Sequence, residues 1–157
     1  IAVPASVLKI GIATFRGCFE LTSVNFAPGS KLTTIRHGAF ADTGLKTFRM
    51  PKGVKEIGLD QPDGTSNFNM GRVGPFTGCR DLTSVTFPPD SELTKIKYLA
   101  FARTGLTAFE VPMGVTEIQS LAFFLCDKLS TFTFASTTNL VVKADFVNPI
   151  IPAFDAE

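Results

Sequence analysis

One stretch of this chain is written twice. Residues 18–57, CFELTSVNFAPGSKLTTIRHGAFADTGLKTFRMPKGVKEI, recur 61 positions later as residues 79–118, CRDLTSVTFPPDSELTKIKYLAFARTGLTAFEVPMGVTEI, without a gap and with more than half of the paired positions identical. A repeat at fixed offset permits few architectures, because each unit has an apolar face that it buries only by stacking on its neighbours. A finer period lies inside. The isoleucines before each turn, Ile10, Ile35, Ile57, Ile96 and Ile118, step by 25, 22, 39 and 22, the 39 being a 25-residue step that carries 14 extra residues. Long coils, F-x-x-C-x-x-L-T-x-V-x-F, therefore alternate with short ones, F-x-x-T-G-L-x-x-F. This predicts a right-handed solenoid with one parallel sheet of about five to six short strands and irregular or short helical returns, α/β or mainly β in content.

A length of 157 residues fits a single domain, which divides into repeats over 1–134 with an inserted loop at 60–74, and a C-terminal cap over 135–157. The chain opens in mid-repeat, since IAVPASVLKI aligns on FRMPKGVKEI and puts Ile1 where Phe48 stands. We therefore expect upstream polypeptide, as in a fragment of a longer chain, or a partner chain, to cover the first rung. A net charge of +1 supplies no basic field for nucleic acid or anionic lipid. The longest apolar run, residues 121–126, is far short of the roughly 20 residues that span a bilayer, so no transmembrane segment is expected.

Alternation in the strands sets the inward rungs. They are Leu21, Val24 and Phe26; Leu45, Phe48 and Met50; Leu82, Val85 and Phe87; Leu106, Phe109 and Val111; Leu129, Phe132 and Phe134. A second ladder, Phe15, Phe40, Phe76, Phe101 and Phe123, belongs to the returns and reads as a packed spine. With 16 Phe against one Tyr and no Trp, the aromatic residues serve the core rather than a wet recognition surface. Past Phe134 the pattern fades: Leu140 still aligns with Leu32 and Leu93, but Lys143 falls at the next Ile position, and FVNPIIPAFDAE reads as a cap.

Chemistry-bearing residues are few. Cys18, Cys79 and Cys126 occupy one slot of alternate coils, with Thr43 and Thr104 between them, so adjacent thiols lie two rungs or about 10 Å apart, beyond the reach of a disulfide. They are expected to be buried, free and apolar in role. His37, the single histidine, stands at a variable return position that reads as exposed, without a convergent nucleophile. In the insert, Asp60, Asp63, Asn67 and Asn69 offer oxygen atoms, but their spacing is not that of an EF-hand and no terminal Glu follows. We expect no enzyme activity, no metal and no cofactor.

The surface that varies is the outward strand face. Its central column reads Ala2, Asn25, Arg49, Thr86, Glu110 and Thr133, and with Ser23, Thr47, Ser84 and Thr131 it forms the candidate partner-binding face. The insert, through Asp60, Asp63, Asn67, Asn69 and Arg72, is the second candidate contact.

The slots I/V-x-x-I-x-x-x-A-F-x-x-C-x-x-L-T-x-V-x-F-P, best matched by ATFRGCFELTSVNF and LAFFLCDKLSTFTF, resemble the BspA-like, or Treponema-type, leucine-rich repeat. The resemblance covers residues 3–134, and the 14-residue insert and the Thr-Gly of the short coils depart from the pattern. It implies a leucine-rich-repeat solenoid acting as a non-enzymatic protein-binding or adhesion module of an extracellular or cell-surface protein, with an unidentified protein partner. A structural subunit held permanently within a larger assembly is the alternative.

Overall fold

Alternating hydrophobicity and turn residues at a 22–25 residue spacing require the chain to return on itself, and it does so as a parallel β-solenoid of about five turns. The structure, a computed structural model, describes residues 1–59, 73–135, 140–142 and 147–148, and among these there is no helix. Each of the first five coils carries two short strands. In chain order they are β1 (Ala2–Val3) and β2 (Lys9–Ile10), β3 (Asn25–Phe26) and β4 (Thr34–Ile35), β5 (Thr47–Arg49) and β6 (Glu56–Ile57), and β7 (Ser84–Thr86) and β8 (Lys95–Ile96). The last coils contain β9 (Ala108–Val111), β10 (Glu117–Ile118), β11 (Phe123–Phe124), β12 (Thr131–Phe134), β13 (Val141–Val142) and β14 (Val147–Asn148).

Every paired strand is parallel to its neighbour and joins equivalent positions of successive coils. On the return side β2 pairs with β4, and β6, β8, β10 and β13 form a four-stranded ladder in which Ile57, Ile96, Ile118 and Val142 lie in register. The repeat thus continues past Phe134. Val142, not Lys143, lies opposite Ile118, and β14 pairs with β11. An alignment that keeps the Leu-to-Ile spacing constant misses this rung, because the backbone reaches the ladder one residue earlier in the last coil.

The strand face departs from the single sheet expected of it. It is three two-stranded ladders, β1–β3, β5–β7 and β9–β12, each joining a short coil to the long coil that follows. Both breaks fall where a long coil meets the next short one. Short coils have a contracted turn, five positions from Phe40 to Leu45 and from Phe101 to Leu106, against six from Phe15 to Leu21 and from Phe76 to Leu82. The contraction presses Gly44 and Gly105 onto the coil above, where a Cβ would sit 2.1 Å from the Phe19 carbonyl and 2.0 Å from that of Arg80. Only glycine fits there. Backbone hydrogen bonds ahead of the strands still span each junction, Lys46 N–H to the Thr22 carbonyl at 3.3 Å at the first, and Gly105 N–H to that of Cys79 at 3.2 Å and Thr107 N–H to that of Thr83 at 3.5 Å at the second. Further along, no ladder joins β3 to β5 or β7 to β9, and an edge-on ring pair occupies each gap, Phe26 on Phe48 and Phe87 on Phe109, both at 5.7 Å.

The return-side Phe ladder is the spine of the core. Rings of Phe15, Phe40, Phe76, Phe101 and Phe123 stack at centroid separations of 5.3, 5.6, 5.5 and 5.4 Å, inclined by 12°, 10°, 12° and 20°. Such pairs add about 0.5–1.5 kcal/mol each beyond their buried area. Sharp corners on both sides hold the spine in place. The residue two before the ring has positive φ at Ala13, Gly38, Leu99 and Leu121, and the residue two after it at Gly17, Asp42, Gly78, Arg103 and Leu125. For a residue other than glycine this conformation costs about 1–2 kcal/mol, a cost the stacked core offsets.

Candidate functional site

The strand face is backed by an apolar core, and its outward residues come from alternating positions in or just before β3, β5, β7, β9 and β12. Inward Phe48, Phe109 and Val111 are buried, while Ser23, Asn25, Thr47, Arg49, Thr86, Glu110, Thr131 and Thr133 are exposed and Ser84 is half-buried. Register places the expected column together in pairs: Ala2 beside Asn25, Arg49 beside Thr86, and Glu110 beside Thr133. Asp60, Asp63, Asn67, Asn69 and Arg72 lie outside the described residues.

The two breaks in the ladder open two notches on this face, and they are equivalent positions of the 61-residue double repeat. The first holds about 600 Å³ and is lined by Asn25, Phe26, Pro28, Arg49, Pro51 and Lys52. In the second, about 430 Å³, the matching positions are Thr86, Phe87, Pro89, Glu110, Pro112 and Met113. Their charges oppose. Lys52 at the rim of the first is held by Asp90 at 2.8 Å, a contact that raises the lysine pKa and lowers that of the aspartate. Arg49 is then the cation left to the first notch and Glu110 the anion of the second; among the described residues neither has an ion-pair or side-chain hydrogen-bond partner. The sequence showed the column but not the notches, since nothing in a single strand reports whether the next strand pairs with it.

Hydroxyl groups at the strand starts are largely committed to the fold. Thr83 Oγ1 donates to the Lys46 carbonyl at 3.3 Å and Ser130 Oγ to that of Thr107 at 3.1 Å. Thr33, Thr94 and Thr116 tie the return ladder in the same way.

All three cysteines are free, as the rung spacing requires, but they are not equivalent. Cys79 Sγ donates to the Phe40 carbonyl at 3.0 Å and meets Thr43 Oγ1 at 3.3 Å; Cys126 repeats this with Phe101 at 3.0 Å and Thr104 at 3.2 Å. Burial pushes both thiols above their ordinary pKa. Cys18 is exposed, contrary to the expectation for its slot. The reason is positional: the partners of a buried cysteine belong to the coil before it, and Cys18 is in the first full coil. His37 is half-buried rather than exposed, in a return-side groove with Arg36, Lys55 and the Lys97–Glu56 pair at 2.6 Å. Among the described residues no group of three or more His, Cys, Asp or Glu is placed to hold a metal ion, and no helix is long and apolar enough to cross a membrane.

A parallel solenoid with an inward Leu-x-x-Val/Phe rung and a Phe-spined return defines a leucine-rich-repeat protein. The chain belongs to the BspA-type leucine-rich repeat region family, whose model matches residues 1–69 and 73–151 in six copies. Similar solved structures are bacterial. A leucine-rich repeat protein from Bacteroides ovatus ATCC 8483 is 26% identical with a TM-score of 0.67, covering 85% of this chain and 33% of its own. A leucine-rich cell surface protein from Faecalibacterium prausnitzii A2-165 is 27% identical with a TM-score of 0.56, over 87% and 39%. The pneumococcal vaccine antigen PcpA, at 24% identity and a TM-score of 0.63 over 92% and 30%, shares the fold. The chain thus spans about a third of the length of these proteins. Among curated proteins none matches it.

Proposed function

We propose that this chain is a non-enzymatic protein-binding module of a cell-surface or secreted protein, and that its partner docks on the strand face. One observation carries the reading: along a column held in register as three successive pairs, Ala2, Asn25, Arg49, Thr86, Glu110 and Thr133 differ in chemistry coil by coil while the side chains beneath them stay apolar. A rigid backing with variable outward residues lowers the entropy lost on binding and places specificity in side chains the fold does not need. Similarity to a protein described as a leucine-rich cell surface protein supports the location.

The test is retention of a panel of purified extracellular-matrix and host-surface proteins on the immobilised chain. Thr86→Arg with Thr133→Arg is expected to weaken a retained protein at least about tenfold, and Lys9→Glu on the return side to leave it unchanged. The opposite pattern moves the docking site to the return side.

A second reading, a structural subunit of a larger assembly, is favoured by the first coil, where Ile1, Leu8, Ile12 and Phe19 are exposed, Phe19 to 73%. Covering that end, by further polypeptide or by a partner chain, would bury these apolar side chains. Sedimentation separates the readings: a binding module is monomeric alone, and a subunit self-associates until Phe19→Ser with Ile12→Ser disperses it.

A further inference from the structure

We infer that the solenoid has a seam between the coil of β3 and β4 and the coil of β5 and β6, at which residues 1–35 open as one cooperative unit while the coils beyond stay folded.

Successive coils meet on three sides: the strand face, the return ladder and the corner that carries the Phe spine. Where β5 and β6 meet β7 and β8, both ladders are continuous. The next junction loses the strand-face ladder but keeps β8 on β10. At the junction between β3–β4 and β5–β6 both are interrupted, since among the described residues no ladder joins β3 to β5 or β4 to β6. A groove opens on each face there. One is the strand-face notch of about 600 Å³, and the other, on the return side, holds about 620 Å³ among residues that include Thr33, Ile35, Arg36, Lys55, Glu56 and Gly58. The corner still holds, with Ala13, Phe15 and Gly17 N–H donating to the carbonyls of His37, Ala39 and Ala41 at 3.0, 2.8 and 2.9 Å.

The 61-residue echo explains the interruption, because the equivalent return junction, β8 on β10, is closed by residues that the first unit replaces. Thr116 N–H and Oγ1 both donate to the Thr94 carbonyl, at 2.8 and 3.3 Å; its counterpart Lys55 has no hydroxyl. Lys95 pairs with Glu117 at 3.5 Å, and the counterpart of Lys95 is the uncharged Thr34. Gln119 donates its N–H to the Ile96 carbonyl at 2.9 Å and accepts from Tyr98 N–H through Oε1 at 3.2 Å. Its counterpart Gly58 has no side chain, and with φ at 113° it turns the chain toward the following coil, where Leu59 N–H donates to the Tyr98 carbonyl at 2.9 Å.

In a linear array of repeats each junction adds its own stabilisation, so partial unfolding divides the chain at the weakest. Residues 1–35 remain joined to one another by β1 on β3 and β2 on β4. Opening at the seam also exposes less apolar surface than opening in the interior, because Phe15, Leu21 and Phe26 are already half-buried.

Amide hydrogen exchange of the intact chain, followed by NMR, tests this with two sets of coil-to-coil backbone bonds. The first set is the N–H groups of Asn25, Ala27, Lys31 and Thr33, bonded at 2.9–3.0 Å, and the second those of Met50, Glu92 and Thr94, at 2.8–3.0 Å. The first set is expected to share one protection value and to exchange at least about tenfold faster than the second. Phe87→Leu, a conservative change, should accelerate the second set about fivefold and leave the first unchanged, because Phe87 stays packed when residues 1–35 open. Val85→Ala, on the same strand, repeats that measurement. Phe26→Leu should accelerate both sets by the same factor, since its ring is released in either opening. Equal protection of the two sets, protection that grades down toward Ile1 as in simple fraying, or acceleration of both sets alike by Phe87→Leu and Val85→Ala overturns the inference.

Discussion

Residues 15–57 and 76–118 carry the same repeat pattern in two different settings. In the second unit Phe76, Cys79 and Leu82 are fully buried, whereas their counterparts Phe15 and Leu21 are half-buried and Cys18 is exposed. Nothing in the residues themselves accounts for this. The difference is the neighbour: Phe76 stacks between Phe40 and Phe101, but Phe15 stacks on Phe40 alone. In a solenoid, burial is a property of the interface between coils, and a motif gains its full stabilisation only with a coil on both sides.

The strongest way to break this comparison is to empty the spine at each end of it. Phe101→Ala removes a ring packed on both sides and is expected to cost about 3–5 kcal/mol, while Phe15→Ala, with one stacking neighbour and partial exposure, should cost about 1–2 kcal/mol. Urea unfolding midpoints give both values. Equal losses would show that the first coil is as well packed as the interior.

A smaller effect comes from the thiols. In native protein a thiol reagent should label one cysteine, Cys18, and in denaturant all three. Cys79 and Cys126 have folded pKa values raised by burial. Their contribution to stability is therefore complete below the unfolded thiol value of about 8.5 and is lost as pH rises through the folded values. Melting temperature is expected to fall on the alkaline side, and the fall should shrink when both buried cysteines are replaced by alanine. Replacing Cys18 should not alter it. A fall that survives the double replacement would assign alkaline sensitivity to other groups.

The smallest effect sharpens the comparison at the corners. Arg103 holds φ at 56° in the slot that glycine fills at Gly17 and Gly78. Arg103→Gly relieves that strain against a greater loss of chain entropy, for a net gain of about 0.5–1 kcal/mol. A loss of stability instead would mean that the arginine side chain, exposed as it is, contributes more than its backbone conformation costs.

Much of the molecule was legible in the order of its residues. The 61-residue echo and the 22–25 residue steps determined a parallel solenoid; the period of two in each strand separated Phe48 and Phe109 from Arg49 and Glu110; the A-F ladder foretold the stacked spine; and the slot shared by Cys79, Cys126 and the intervening threonines kept the thiols free. These are local periodicities, and each coil states them for itself. Tertiary structure alone decided the exposure of Cys18, the pairing of Val142 in place of Lys143 with Ile118, and the division of the strand face into three ladders with two notches of opposite charge. The first depends on whether a preceding coil supplies partners, and the others on where the backbone of one coil lands against the next. A turn one residue shorter, closed by Gly44 or Gly105, alters that landing without disturbing the hydrophobic pattern from which the fold is read.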